Sequence, residues 1–127
     1  MSFVDDVRAF HTVANIPILD KPQWPRADRR ILRFDLLEEE FRELCEAGIS
    51  VAEVAKELVD LIYVAIGTAL EFGIPLDAVW EEVHKSNMAK VDPNTGRVVY
   101  REDGKVLKPE GWKKPDVQKV LECHTST

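Results

Sequence analysis

An uncharged run of ten residues, Leu61 to Leu70, limits the folds open to this chain more than any other feature. The run lies in a longer segment with helix signals at both ends, because Ser50 and Glu53 form a capping-box pattern and Gly73 and Pro75 follow the last apolar residues. A helix without a solvent-facing side has to be surrounded by other elements. Ten residues are about half of what crosses a bilayer. We therefore predict a central helix of an all-α bundle rather than a membrane span.

Three further helices are predicted around this one. Apolar residues spaced three and four apart indicate helices over about 3–14, from 27 or 28 to 47, and over 76–90. Residues 15–28 contain three prolines and predict an ordered connector. Residues 97–107 contain a Glu-Asp-Gly turn between two apolar runs and predict a short β-hairpin. The fold class expected is a single all-α domain spanning residues 1–127, with a four-helix bundle at about 3–91 and a hairpin and tail at 92–127.

The charge balance argues against a nucleic-acid-binding protein. Seventeen basic and 23 acidic residues give a net charge of -6, which is the wrong sign for binding nucleic-acid phosphates by counterion release.

Cys45 and Cys123 lack the spacing of a disulfide framework or a structural zinc site. The first residues are acidic where a signal peptide is basic and then apolar. We therefore expect a cytoplasmic protein with free thiols and with neither membrane nor nucleic-acid partners.

Acidic residues interrupt an apolar face of the second predicted helix. At 100° per residue, the stripe that runs from Leu32 to Ala47 contains Glu40 and Glu43. Glu39 lies at the border between this stripe and the solvent-facing arc. Two carboxylates on a core-facing stripe require a neutralising partner.

The third predicted helix carries a matching acidic pair, Glu57 and Asp60, three residues apart on one face. These two acids and Glu40 and Glu43 are predicted to converge. Like charges about 4 Å apart repel by roughly 4 kcal/mol at an effective dielectric of 20, so a cation or protons must accompany them. Oxygen ligands favour Mg2+, and Mn2+ also fits. The alternative is that residues 38–40 form a solvated charged run and the other acids lie on the surface.

Polar residues also continue the apolar stripe of the fourth predicted helix, where Asn87 and Lys90 follow Val83. Lys90 is suited to pairing with phosphate as a point charge. The pair would then complement a metal-bound polyphosphate. The alternative is a C-terminal helix cap in which Lys90 contacts backbone carbonyls.

These residues together resemble a known family. Glu39-Glu40-Phe41-Arg42-Glu43 and Glu57-Leu58-Val59-Asp60 look like the Glu-Glu-x-x-Glu and Glu-x-x-Asp motifs of the all-α nucleoside triphosphate pyrophosphohydrolases. That group holds MazG, the dimeric dUTPases and phosphoribosyl-ATP pyrophosphohydrolase. Residues 83–90 and 100–108 are similar to its phosphoribosyl-ATP pyrophosphohydrolase-like branch. The resemblance extends from about Phe3 to Val117.

The resemblance implies hydrolysis of a nucleoside triphosphate between its α and β phosphates, which gives the monophosphate and pyrophosphate. It implies that Mg2+, or Mn2+, is held by Glu40, Glu43, Glu57 and Asp60. Glu39 would join a second ion or orient the attacking water. Contacts to the nucleotide would come from Asn87, Lys90, Lys85, Lys108 and Trp112, and a packing role is the alternative for Trp112.

The family's sites are usually built between chains, which implies a homodimer or a dimer of dimers. House-cleaning or control of nucleotide pools is the expected role, with hydrolysis of phosphoribosyl-ATP as the alternative. Two other classes stay open. A di-iron bundle is suggested by the single Glu81-x-x-His84 spacing, although that fold uses the spacing twice. A non-catalytic bundle would sense a nucleotide or bind a protein.

Overall fold

The regular secondary structure of the chain is entirely helical in a computed structural model that describes residues 2–125. The chain divides into two compact units, Met1–Leu76 and Asp77–Thr127. In chain order the helices are α1 (Phe3–Ala14), α2 (Ala27–Cys45), α3 (Val51–Glu71), α4 (Leu76–Met88) and α5 (Val117–Thr125). The predicted all-α class is confirmed. The first four helices lie within about two residues of their predicted bounds, and α5 occupies a segment where the sequence indicated no element.

The core of the first unit lies where α1 crosses α3. Val7 of α1 and Ile66 and Leu70 of α3 are buried together, and Val4 and Ile18 pack against them. Burying such side chains stabilises a fold by about 1.5–3 kcal/mol each. The small apolar core therefore fixes α1 against the C-terminal half of α3.

The connector between α1 and α2, residues 15–26, is ordered by backbone contacts to the end of α3. The Leu19 N–H donates a hydrogen bond of 3.0 Å to the carbonyl of Leu70. Gly73 adopts a positive φ of 67°, and a Cβ at this position would lie 2.1 Å from the carbonyl oxygen of Lys21. Only glycine combines that backbone conformation with so close an approach. Gly73, which the sequence indicated as the end of the helix, thus also leaves room for the backbone of the connector.

A buried ion pair joins α2 to α3. Glu71 at the end of α3 is 1% exposed, accepts a hydrogen bond from Arg29 at 2.8 Å and forms an ion pair with Arg33 at 3.1 Å. Arg33 also donates to the backbone carbonyl of Val64 at 2.9 Å and to the Thr68 hydroxyl at 3.2 Å. Arg33 is the buried residue of α2, whose apolar side chains are largely exposed. Charge pairing therefore adds to the contacts that the half-buried Leu36, Leu37 and Leu44 of this helix make.

One side of α3 is open to solvent, contrary to the prediction that this helix has no solvent face. Leu58, Val59, Ile62 and Tyr63 are between 36% and 59% exposed. The reason is that the helix packs against α1 and α2 within its unit, and these two helices cover only part of its surface. No single helix among the described residues has the length and apolar composition of a membrane span, and only α3 and α4 taken together reach it.

The predicted β-hairpin does not form as strands anywhere in residues 2–125. The segment has two isolated antiparallel bridges, Asp92 with Arg97 and Tyr100 with Val106. Gly104 closes the second turn with a positive φ of 88°. The ladder stops there because a lone two-stranded ribbon is marginal in water, and the side chains of residues 99–108 are exposed rather than packed on a core.

Replacing Glu71 with Gln is expected to lower the free energy of unfolding by about 3–5 kcal/mol, because it leaves two guanidinium groups without their buried counter-charge. Urea denaturation of the wild type and the variant measures this. The control is Glu38→Gln, which removes an exposed pair with Arg42 and should change little. Equal denaturation midpoints for the two variants would contradict the assignment.

His11 predicts an acid-dependent loss of stability. Its ring is 2% exposed, and burial, opposed in part by the carbonyl of Pro17, lowers the pKa of His11 below the ordinary histidine value. As pH falls, the unfolded chain takes up a proton first, so stability decreases below the ordinary histidine pKa. Denaturation at about pH 7.5 and about pH 5.5 should show a larger loss for wild type than for His11→Gln, up to about 1.4 kcal/mol per pH unit. Identical losses would refute this.

Candidate functional site

Three carboxylates from two helices meet on one side of the first unit. Glu40 of α2 lies beside Glu57 and Asp60 of α3, and one oxygen from each falls within 4.8 Å of the others. Glu57 and Asp60 share a face because they are three residues apart on a helix. Glu40 reaches them because α2 and α3 run antiparallel. All three side chains are half-buried. Three of the four predicted metal ligands are thus brought together.

The local charge is incompletely balanced. One oxygen of Glu40 and one of Glu57, Oε2 in each case, are buried without a hydrogen-bond partner. Burial raises the pKa of Glu40, and the charges of Glu43, Asp60 and Glu57 raise it further. The nearby cation is Lys56, whose ammonium lies 2.6 Å from Asp60 and 3.6 Å from Glu57 while its side chain is two-thirds exposed. This one exposed ammonium makes no hydrogen bond to either of the two orphaned oxygens.

This arrangement fits a hard divalent cation. The donors are carboxylate oxygens only, the donor type that Mg2+ and Mn2+ prefer. At an octahedral Mg2+ with metal–oxygen distances of about 2.1 Å, adjacent ligand oxygens lie about 3 Å apart and opposite ones about 4 Å apart. Only one pair among three ligands can be opposite, so the Glu40, Glu57 and Asp60 oxygens, up to 4.8 Å apart, would have to approach one another by as much as about 2 Å through side-chain rotation. The orphaned Oε2 atoms would then gain a partner.

Glu43 and Glu39 occupy different positions from the other acids. Glu43 is half-buried next to Glu40, where its charge and a hydrogen bond contribute to raising the pKa of Glu40. It does not belong to the group of oxygens within 4.8 Å. Glu39 is exposed on α2 and lies outside that group as well. The structure therefore separates a close carboxylate triad from two neighbouring acids.

The residues predicted to contact nucleotide lie in the second unit. The Lys90 ammonium donates to the Asn87 side chain at 3.0 Å. It also lies 5.5 Å from the ring centre of Trp112, and the Lys108 ammonium lies 4.8 Å from the same ring. The Trp112 indole N–H donates to the carbonyl of Ser86 at 2.8 Å. Trp112 is thus tied to α4, as its packing alternative requires, and it brings Lys90 and Lys108 to one ring.

Lys85 is exposed and lies at a neighbouring cleft of about 450 Å3, which Ser86 and Trp112 also line. For Lys90, the contact described is with the Asn87 side chain rather than with a backbone carbonyl of the helix end. Four of the five residues predicted to bind nucleotide are therefore in contact with one another, namely Asn87, Lys90, Trp112 and Lys108. Lys85 is not part of this group of contacts.

The di-iron alternative has no support in the described part of the chain. Glu81 and His84 are both exposed. The group of metal-binding geometry found within residues 2–125 consists of Glu40, Glu57 and Asp60.

Periodicity did not identify Arg33 or Glu71. Arg33 stands in a charged stretch that looks solvent-exposed in the sequence, and Glu71 is the first residue after the uncharged run. A signal was nevertheless present. A carboxylate in the last turn of a helix is opposed by the helix dipole, so Glu71 at the end of an apolar helix required a cationic partner.

Comparison with known proteins places this chain in a family. The phosphoribosyl-ATP pyrophosphohydrolase family matches residues 7–87, well over half of the chain, and the matched range contains the carboxylate triad. No curated protein matches the sequence. A crystal structure of a candidate NTP pyrophosphohydrolase from Exiguobacterium sp. 255-15 aligns at 24% identity over 98% of this chain and 94% of that one, with a TM-score of 0.44. On the family match, the chain belongs to the phosphoribosyl-ATP pyrophosphohydrolase family of the all-α NTP pyrophosphohydrolases, which are nucleotide pyrophosphohydrolase enzymes.

Proposed function

We propose that this protein is a Mg2+-dependent pyrophosphohydrolase that converts a nucleoside or deoxynucleoside triphosphate and water into the monophosphate and pyrophosphate. Water adds to the α-phosphorus, the bond from that phosphorus to the bridging oxygen breaks, and pyrophosphate leaves. The observation that carries the proposal is the convergence of Glu40, Glu57 and Asp60 with two buried, unpartnered oxygens.

The chemistry requires no nucleophilic side chain. A bound divalent cation would bridge phosphate oxygens and lower the pKa of a bound water. In this proposal Glu40, Glu57 and Asp60 hold the cation, and Glu43, half-buried next to Glu40, is the fourth ligand. Glu39, exposed on α2 and adjacent in sequence to Glu40, orients the attacking water or holds a second ion.

Nucleotide binding by the second unit is proposed on the chemistry of its residues. Lys90 and Lys108 offer two ammonium groups around Trp112, with Asn87 as a hydrogen-bonding neighbour. Lys85 adds a further exposed cation. Ammonium groups complement phosphate, and an indole ring offers a stacking surface for a base.

Phosphoribosyl-ATP is a second candidate substrate, because the matched family is described by that activity. It is a purine nucleotide with a triphosphate, so the same carboxylates would serve the same bond cleavage. House-cleaning or pool control, in the cytoplasm, is the role proposed for the broader activity. A panel of ribo- and deoxynucleoside triphosphates run beside phosphoribosyl-ATP, with pyrophosphate release measured, separates the two.

A homodimer, or a dimer of dimers, is proposed from the apolar surface of the first unit. A groove of about 320 Å3 between α1 and α3 is lined by Phe3, Val59, Ile62 and Tyr63, all at least one-third exposed. Contiguous apolar surface of this kind marks interaction sites.

Glu40→Gln and Asp60→Asn are each expected to reduce pyrophosphate release by about 100-fold or more, because each removes a charged ligand for the cation. Glu38→Gln, on the exposed side of the same helix, is the matched control and should retain wild-type turnover. Mn2+ binding, measured by the loss of the free-ion resonance signal, should weaken in the first two variants and not in the third. Wild-type nucleotide binding without turnover of any substrate would favour a sensor instead.

If the apolar groove forms the interface of an oligomer, a charge placed in it should lower the mass of the particle in solution. Ile62→Glu places a charge in the apolar groove and should shift the mass measured by light scattering from a multiple of 14.5 kDa toward the monomer. A wild-type protein that is already monomeric at the highest concentration tested would contradict the proposal.

A further inference from the structure

Arg33 contacts α3 at one defined point. Its guanidinium group donates to the Val64 carbonyl at 2.9 Å and to the Thr68 hydroxyl at 3.2 Å, and it pairs with Glu71 at 3.1 Å. The side chain is 6% exposed. These three bonds span two turns of α3, so a shift of α2 along its neighbour by one turn, about 5.4 Å, would break all of them.

The carboxylate triad lies two turns away from this contact on both helices. Glu40 follows Arg33 by seven residues, and Glu57 precedes Val64 by seven. Seven residues of helix extend about 10.5 Å. Because the two helices are antiparallel, equal steps from the Arg33 contact bring Glu40 and Glu57 to the same level. The register that satisfies Arg33 is the register that brings the carboxylates together.

Besides Arg33, the directional contact described between the two helices is the Arg29–Glu71 pair, which engages only the last residue of α3. Phe34 and Phe41 of α2 are 50% and 57% exposed, and Ile31 is 60% exposed. Half-exposed apolar side chains tolerate sliding because they lose little contact area. The carboxylates repel one another and therefore oppose the alignment. A directional, buried contact is required to maintain it.

The seat of Arg33 is built by two other residues. Glu71 supplies a carboxylate that is 1% exposed, and Gly67 supplies space. A Cβ on Gly67 would lie 2.6 Å from the Arg33 guanidinium and 2.6 Å from the His11 ring. The absence of that one atom allows the guanidinium to lie across α3.

We propose that Arg33, seated by Glu71 and Gly67, is a positioning residue that fixes the register of α2 against α3 and so holds Glu40 within metal-binding distance of Glu57 and Asp60. The metal part of this inference rests on the proposed function. The register part does not, and it is measured on protein without metal.

The register is measured with two spin labels on exposed positions of the two helices. Arg42→Cys and Ala55→Cys supply the label sites in a background with Cys45→Ser and Cys123→Ser, since both native thiols are exposed. Arg33→Lys keeps a charge for Glu71 but loses the fork that serves three partners at once. Gly67→Ala disturbs the same seat from α3 without removing a charge. Both changes are expected to broaden or shift the label distance.

Mn2+ affinity is the second readout, measured by the free-ion resonance signal in proteins that carry no labels. Arg33→Lys and Gly67→Ala are expected to weaken binding about 10-fold or more, the effect typical of residues that orient metal ligands. Arg29→Lys is the matched control, because it perturbs the other arginine paired with Glu71 but leaves the bonds to Val64 and Thr68 in place. Val7→Ala destabilises the core away from the triad and controls for lost stability.

A changed label distance and weaker Mn2+ binding in the Arg33 and Gly67 variants, with both controls unchanged, would support the proposal. It would be overturned by an unchanged label distance in both variants, or by losses of affinity that follow stability across all four. If the wild type binds no Mn2+, the metal proposal fails, and the label distance alone decides whether Arg33 fixes the register.

Discussion

The buried pair of Arg33 and Glu71 is the interaction on which the arrangement of the first unit depends. Most helix pairs are joined by an apolar stripe, but in α2 the buried residue is a charged one. Burying an ion pair costs desolvation free energy. The electrostatic attraction offsets this cost only when every donor and acceptor is well placed. That demand is a source of specificity. Apolar side chains accept many alignments, whereas a guanidinium group with partners on three residues of α3 accepts one.

This constraint explains why three mutually repelling carboxylates lie close together. Glu40, Glu57 and Asp60 would separate if the helices were free to move, since like charges repel and Lys56 balances them only in part. The attractive pair at one end of the helices holds a repulsive group at the other. The repulsion is a cost in stability that a divalent cation would relieve, which is the usual relation between a stable scaffold and a strained functional site. Stability and binding capacity are therefore located in different turns of the same two helices.

The sequence predicted the helices well because their ends carry local signals. Ser50 with Glu53 marks the start of α3, and Gly73 marks its end with a positive φ. Periodicity also placed Glu40, Glu57 and Asp60 on facing stripes. It missed Arg33 and Glu71 because a 3.6-residue period describes one helix at a time and does not pair charges across two. The hairpin prediction was wrong, because turn residues specify a chain reversal but not the packing that extends a β-ladder. The prediction that α3 has no solvent face was also wrong, because that depends on how many helices pack around it.

Gly67 has a consequence for how this protein can vary. The space left by its missing side chain is filled by Arg33 of α2 and His11 of α1, so positions 11, 33 and 67 do not accept changes independently. A methyl group at 67 would meet both the Arg33 guanidinium and the His11 ring at 2.6 Å, so it requires both of these side chains to be shorter or displaced. Related sequences should therefore exchange the three positions jointly, and a library that randomises them one at a time would find few tolerated substitutions where joint randomisation finds more.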